Sequence, residues 1–186
     1  MTIAVWPLVG EEKILETPVF TVKKSICRSP KDGRDKGFFV LDCPEWVQVL
    51  AVTDEDEVIL VRQFRQASRE ISLELPGGVV EKGQTPEEAG RRELREETGF
   101  EADRWRHLAS FRPNPATHDN QAHLYLAEGA RLAGPTDFDE NEDIELVKVP
   151  LADLPGLVLD GTISHVIMAA GILFHAAWRA RSSQAD

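Results

Sequence analysis

Apolar and polar positions alternate along much of this chain with a period near two, the signature of half-buried strands. Residues 19–26 (VFTVKKSI) alternate loosely and predict a strand. Residues 38–52 are rich in Val, Phe and Trp and predict one long strand or two, broken near Pro44. Asp54, Glu55 and Asp56 form a polar turn, and residues 58–64 (VILVRQF) predict the second arm of a hairpin. A short strand over 71–75 runs into Pro76, Gly77 and Gly78, and further strands are expected at 105–111, 122–127 and 144–149.

The period changes after the Gly pair. Thr85 is suited to cap a helix, Pro86 to its first position, and Glu88 completes a capping box with Thr85. Gly99 is a natural stop, so a helix is predicted over 86–98. Residues from Leu151 (LADLPGLVLDG) predict a short helix, and 162–181 a longer one. On the latter, Ile163, Val166, Ile167, Ala170, Leu173, Phe174 and Ala177 form a stripe that reads as its core face. Strands and helices in this order indicate an α/β protein with layers around a mixed β-sheet. The first fifty residues read as a separate small β element, giving a division into 1–50 and 51–186.

With 186 residues and 42% hydrophobic content the chain has the composition of a soluble globular protein. Its formal net charge of -11 argues against a nucleic-acid backbone as partner. Cys27 and Cys43 form no CxxC pair and read as free thiols of a reducing compartment. No basic, apolar leader opens the chain, and the apolar stretch 163–178 is interrupted by His165 and His175 and is short for a membrane span. A cytoplasmic protein with no membrane partner is expected.

The helix over 86–98 has an odd charge pattern. At roughly 100° per residue, Glu93, Glu96 and Glu97 share one arc, with Ala89 and Gly90 upstream on it and Arg91 and Arg95 opposite. Leu94 is the only large apolar residue. Pairs Glu87–Arg91 and Glu88–Arg92 suit a solvated charged helix, but like charges at i,i+4 such as Glu93 and Glu97 repel. A divalent cation would reverse that sign, and an oxygen-rich site of this kind suits Mg²⁺ or Mn²⁺. The helix alone leaves both readings open.

The stretch LPGGVVEKGQTPEEAGRRELREETGF resembles the Nudix box, G-x5-E-x7-R-E-U-x-E-E-x-G-U, where U is a bulky aliphatic or aromatic residue. Gly78 fits the first position, and Arg92, Glu93, Leu94, Glu96, Glu97, Gly99 and Phe100 fit the rest. Gln84 stands where that family usually has Glu, so an altered metal shell is expected there. The resemblance implies an α/β/α sandwich around a mixed sheet and hydrolysis of a nucleoside diphosphate linked to another moiety. It implies Glu93 and Glu97 as metal ligands, Glu96 as a third ligand or bridging acid, the Gly77 carbonyl in the same shell, and Arg92 as a residue that orients the carboxylates.

Three flanks resemble the ADP-ribose and nucleotide-sugar pyrophosphatase branch. LVRQFR and LELPGG precede the box, with Arg62 and Arg65 as candidate phosphate or partner-chain contacts. FRPNPATHDNQAHLYLA follows it; Pro115 fits, but Ala116 and Thr117 stand where the family has an aromatic. Asn114, His118, Asn120 and His123 are candidates to read a sugar or phosphate. FDENEDIEL resembles the acidic loop of the branch, which implies Glu140 as the base that activates water, Glu142 as a metal ligand, and Glu145 as a substitute for either. The resemblance also implies a homodimer exchanging or packing its N-terminal strands, with Trp46 or Glu74 reaching the partner's site. Two alternatives stand beside this reading: a house-cleaning hydrolase of oxidised nucleoside triphosphates, and a non-catalytic nucleotide-sugar sensor.

Overall fold

The computed structural model describes residues 3–138 and 143–182. The chain divides into two compact units, one formed by Met1–Pro44 with Arg112–Gln121, the other by Glu45–Phe111 with Ala122–Asp186. The first break between the units follows Pro44. Pro44 ends one extended segment, and the strand that follows it belongs to the larger unit.

In the first unit β1 (Leu8–Glu16), β2 (Thr21–Arg28) and β3 (Asp35–Asp42) form an antiparallel sheet in that order. β1 carries no buried residue. It lacks the alternation that would mark it in the sequence, and pairing with β2 is what defines it. The segment Arg112–Gln121 is tied to β3 by the Leu41 N–H on the Thr117 carbonyl (2.7 Å) and to the end of the unit by Asn120 Nδ2 on the Pro44 carbonyl (2.8 Å).

The second unit begins with β4 (Trp46–Val52), β5 (Glu57–Arg65), β6 (Glu70–Glu74) and β7 (Gly77–Val79), followed by α1 (Pro86–Thr98). Then come β8 (Phe100–Glu101), β9 (Arg104–Phe111), β10 (Ala122–Glu128), β11 (Arg131–Leu132) and β12 (Ile144–Pro150). Helices α2 (Leu154–Leu159) and α3 (Val166–Ser182) close the described chain. The main sheet runs β12-β5-β4-β10-β9, with β6 on β5 and β7 on β4. β10 pairs parallel with β4 and the other pairings are antiparallel, so the sheet is mixed, as expected.

β4 sits mid-sheet and is covered on both faces, so it is apolar nearly throughout. Successive side chains point to opposite faces. Leu50 and Val52 join a cluster with Leu154 of α2 and Met168 and Ile172 of α3. Val49 and Ala51 join Leu94 of α1 and Phe100 on the other side. The three layers are those of an α/β/α sandwich.

The stripe predicted for α3 is not its buried face. Ile167, Met168, Gly171, Ile172 and His175 are buried, whereas Val166, Ala170, Leu173, Phe174 and Ala177 are exposed. Apolar residues surround this helix, so periodicity alone leaves its rotation undetermined. Gly171 settles it: a Cβ there would lie 3.2 Å from the Leu124 side chain, and only a bare backbone lets the helix seat so closely on β10.

Candidate active site

The site is built where β7 and α1 both rest on β4. β7 is held in register by the pairs Val47↔Gly78 and Gln48↔Gly77. α1 follows after a short loop, in which the Glu81 N–H donates to Gln84 Oε1 (3.3 Å) and the Gln84 N–H to the Glu81 carbonyl (3.0 Å). Gln84 therefore closes the turn that delivers the helix. The N-terminus of α1 has the expected capping box: Glu88 N–H donates to Thr85 Oγ1 (3.2 Å) and Thr85 N–H to Glu88 Oε2 (2.7 Å). Gly99 ends the helix in the left-handed region, φ 73°.

Close approach then depends on glycine at three places. A Cβ on Gly90 would stand 3.2 Å from the methyls of Val47 and Val49, so α1 lies tight on β4. A Cβ on Gly77 would stand 2.1 Å from the Val47 carbonyl oxygen, and one on Gly78 2.3 Å from Glu93 Oε1. The bare β7 backbone is thus the floor on which the Glu93 carboxylate rests. Beside it, the Gly77 N–H donates to Glu97 Oε2 at 2.8 Å. Glu93 and Glu97 are 8% and 3% exposed, a rare state for carboxylates.

Arg92 holds the acids in place. Its Nη2 donates to Glu93 Oε1 (2.9 Å) and to the Val79 carbonyl (3.1 Å), and its Nη1 donates to Glu96 Oε2 (2.8 Å). Burial works against the Arg92 charge, but Glu93 and Glu96 outweigh it and raise its pKa above the ordinary guanidinium value. Glu88, occupied by its capping box, is not Arg92's partner, whereas the pair Glu87–Arg91 forms as expected.

Gly77, Gly78, Arg92, Glu93 and Glu97 line a cleft of about 820 Å³. Trp46, Arg65 and Glu74 line it too. Glu74 is fully buried and is gripped by Arg65 of its own chain, Nε to Oε1 at 2.8 Å and Nη2 to Oε2. Burial pushes the Glu74 pKa up, and Arg65 more than reverses this, leaving it below the usual carboxylate value. The same enclosure makes Glu74 part of the cleft wall. Ser164 and His165, just before α3, and Met168 within it also line the cleft, and nothing in the local pattern of the sequence singled them out.

Other candidates lie elsewhere. Arg62, half-buried, pairs across the sheet with exposed Glu145 (2.7 Å), and neither lines the cleft. His123 is hydrogen-bonded to Ser110 and Glu45, off the cleft. Asn114, His118 and Asn120 belong to the first unit, where the Asn114 carbonyl accepts from the N–H groups of Thr117 and His118. Glu140 and Glu142 lie outside the described residues.

Two buried carboxylates and a strand backbone offer hard oxygen donors, which fit a small divalent cation. Gly78 leaves a cradle that a side chain would otherwise fill. Among the described residues no three His, Cys, Asp or Glu side chains converge tightly enough to form a site on their own, and Glu96 is turned to Arg92. The donor set therefore fits such a cation only with further donors from outside it, such as water.

The family model for the NUDIX domain matches residues 45–167, beginning where the second unit begins. An ADP-ribose pyrophosphatase of Bacillus subtilis is 40% identical over 116 residues, 62% of this chain and 63% of that protein. A methanol dehydrogenase activator of Bacillus methanolicus is 36% identical over 109 residues, 58% of this chain and 59% of that protein. The matched part thus spans about three fifths of these relatives' length. A crystal structure of an ADP compounds hydrolase superposes with a TM-score of 0.84 over 96% of both chains at 22% identity, a likeness of fold. Box, fold and family model agree, and the chain belongs to the NUDIX domain family.

Proposed function

We propose that this protein hydrolyses the pyrophosphate bond of a nucleoside diphosphate sugar, ADP-ribose or a related compound, to a nucleoside monophosphate and a sugar phosphate. The observation that carries the reading is the pairing of buried Glu93 and Glu97 with the bare backbone of Gly77 and Gly78 in one cleft. The 40% identity to an ADP-ribose pyrophosphatase supports the substrate class.

Mg²⁺ or Mn²⁺ would be held by Glu93, Glu97 and the Gly77 carbonyl, with Glu96 and Glu142 completing the set. Such a cation cancels charge on the pyrophosphate and lowers the pKa of bound water. Arg92 fixes the carboxylates in one geometry for such a cation, since its two nitrogens hold Glu93 and Glu96 at once. Arg65, half-exposed at the cleft wall and backed by Glu74, presents cationic N–H groups to a phosphate. Glu140, or its neighbour Glu142, takes the proton from the attacking water.

The same reading makes the protein a cytoplasmic homodimer. Exposed apolar residues of the first unit, among them Val5, Leu8, Leu15 and Phe39, support a covering partner there. No helix among the described residues is long and apolar enough to cross a membrane.

The test is a panel of nucleotide sugars and nucleoside triphosphates assayed with Mg²⁺ and with Mn²⁺, products separated by chromatography. The expected products from ADP-ribose are AMP and ribose phosphate. Turnover of triphosphates alone would favour the house-cleaning reading, and binding with no turnover the sensor.

A further inference from the structure

We propose that His165 is a phosphate-binding residue of the cleft, its Nε2–H donating to a non-bridging oxygen of the diphosphate beside Arg65. The identity of the substrate rests on the hydrolytic reading above; the contact itself rests on the geometry of the cleft wall. His165 is half-buried and lines the cleft with Arg65, Glu74 and Met168. Its two ring nitrogens differ. Nδ1 is shut from solvent and has no hydrogen-bond partner among the described residues, whereas Nε2 is not so enclosed. A buried N–H without an acceptor is rarer than a buried lone pair, so the lone pair belongs at Nδ1 and the proton at Nε2. A second proton charges the ring and leaves the Nε2–H in place. The ring therefore offers a donor in either state.

The fold holds the ring against this wall. His165 directly precedes α3, and its carbonyl accepts the Ala169 N–H at 2.9 Å. With Nδ1 unpartnered, the ring does not cap the helix through that nitrogen. Met168 Sδ accepts the Leu75 N–H at 3.3 Å, which ties the start of α3 to the end of β6. Glu74, the chain neighbour of Leu75, lies close enough to feel the charge of both Arg65 and His165.

The wall thus sets two donors of different elements about one buried carboxylate. Both oxygens of that carboxylate are taken up by Arg65, so they do not face an incoming anion. A guanidinium and an imidazole N–H together suit a phosphate, whose several oxygens accept from more than one direction.

The experiment is heteronuclear NMR of the histidine rings in the full chain with Mg²⁺, titrated with AMP, ribose phosphate and adenosine, the His165 signal being assigned by its loss in His165→Gln. The His165 Nε2 resonance should shift with AMP or with ribose phosphate, whichever half of the substrate meets it, and not with adenosine. In ADP-ribose turnover His165→Leu should raise KM about tenfold with a much smaller effect on kcat, and His165→Gln, which keeps an N–H donor, should recover most of the loss. No shift with either phosphate ester, an equal shift with adenosine, or an unchanged KM in His165→Leu would each overturn the proposal. A shift with a phosphate ester in a chain that hydrolyses no nucleotide sugar would uphold the contact and refute the hydrolytic reading instead.

Discussion

The Glu93 carboxylate lies so close over Gly78 that a Cβ on the glycine would stand 2.3 Å from its Oε1. The atom in the way is the far end of a flexible side chain, not backbone, so Gly78→Ala should displace the carboxylate and spare the fold. We expect the unfolding free energy to fall by less than about 1 kcal/mol while hydrolysis drops severely. Thermal melting beside an assay of ADP-ribose turnover checks this; full activity in Gly78→Ala would mean that Glu93 need not occupy that place.

Arg65 and Glu74 make a different prediction. Glu74 is fully buried and its folded-state pKa is lowered, so the stability it lends is present above its unfolded value of about 4.5 and is lost as pH falls. Arg65→Ala strands the carboxylate. The expected loss at neutral pH is on the order of 2 kcal/mol, discounted from the cost for a fully buried pair because Arg65 is half-exposed. The difference between variant and wild type should shrink in acid, as Glu74 takes a proton in both. Chemical denaturation at neutral and acid pH measures it.

His175 is 4% exposed, and burial, with Arg179 nearby, lowers its pKa from 6.5 to about 4. Between those values the unfolded chain binds the proton and the folded chain does not, so this residue makes stability fall as pH drops from 6.5 toward 4. The span corresponds to about 3 kcal/mol. His175→Leu should remove that component of the slope, readable from melting midpoints across the window; an unchanged slope would contradict the assignment.

Helix α1 was legible in the sequence because its signals are local: Thr85, Pro86, Glu88 and Gly99 each act within a turn or so of their own position. The clustered acids pointed to the site for the same reason. What lay beyond reach depends on packing between distant segments. Glu88 had two possible partners, and the backbone of Thr85 won it from Arg92. The buried face of α3 hinged on Gly171 meeting Leu124, a contact between helix and sheet that periodicity does not encode. His165 and Met168 reach the cleft only because α3 packs on the sheet, where Met168 Sδ accepts the Leu75 N–H at 3.3 Å.

The most direct test of the catalytic reading is ADP-ribose hydrolysis with Mg²⁺ by Glu97→Gln. Glu97 is almost fully buried against the Gly77 N–H, and glutamine keeps the shape and an acceptor oxygen but removes the charge. The account predicts a rate lower by orders of magnitude in a protein that melts near the wild-type temperature. Turnover close to wild type would contradict it.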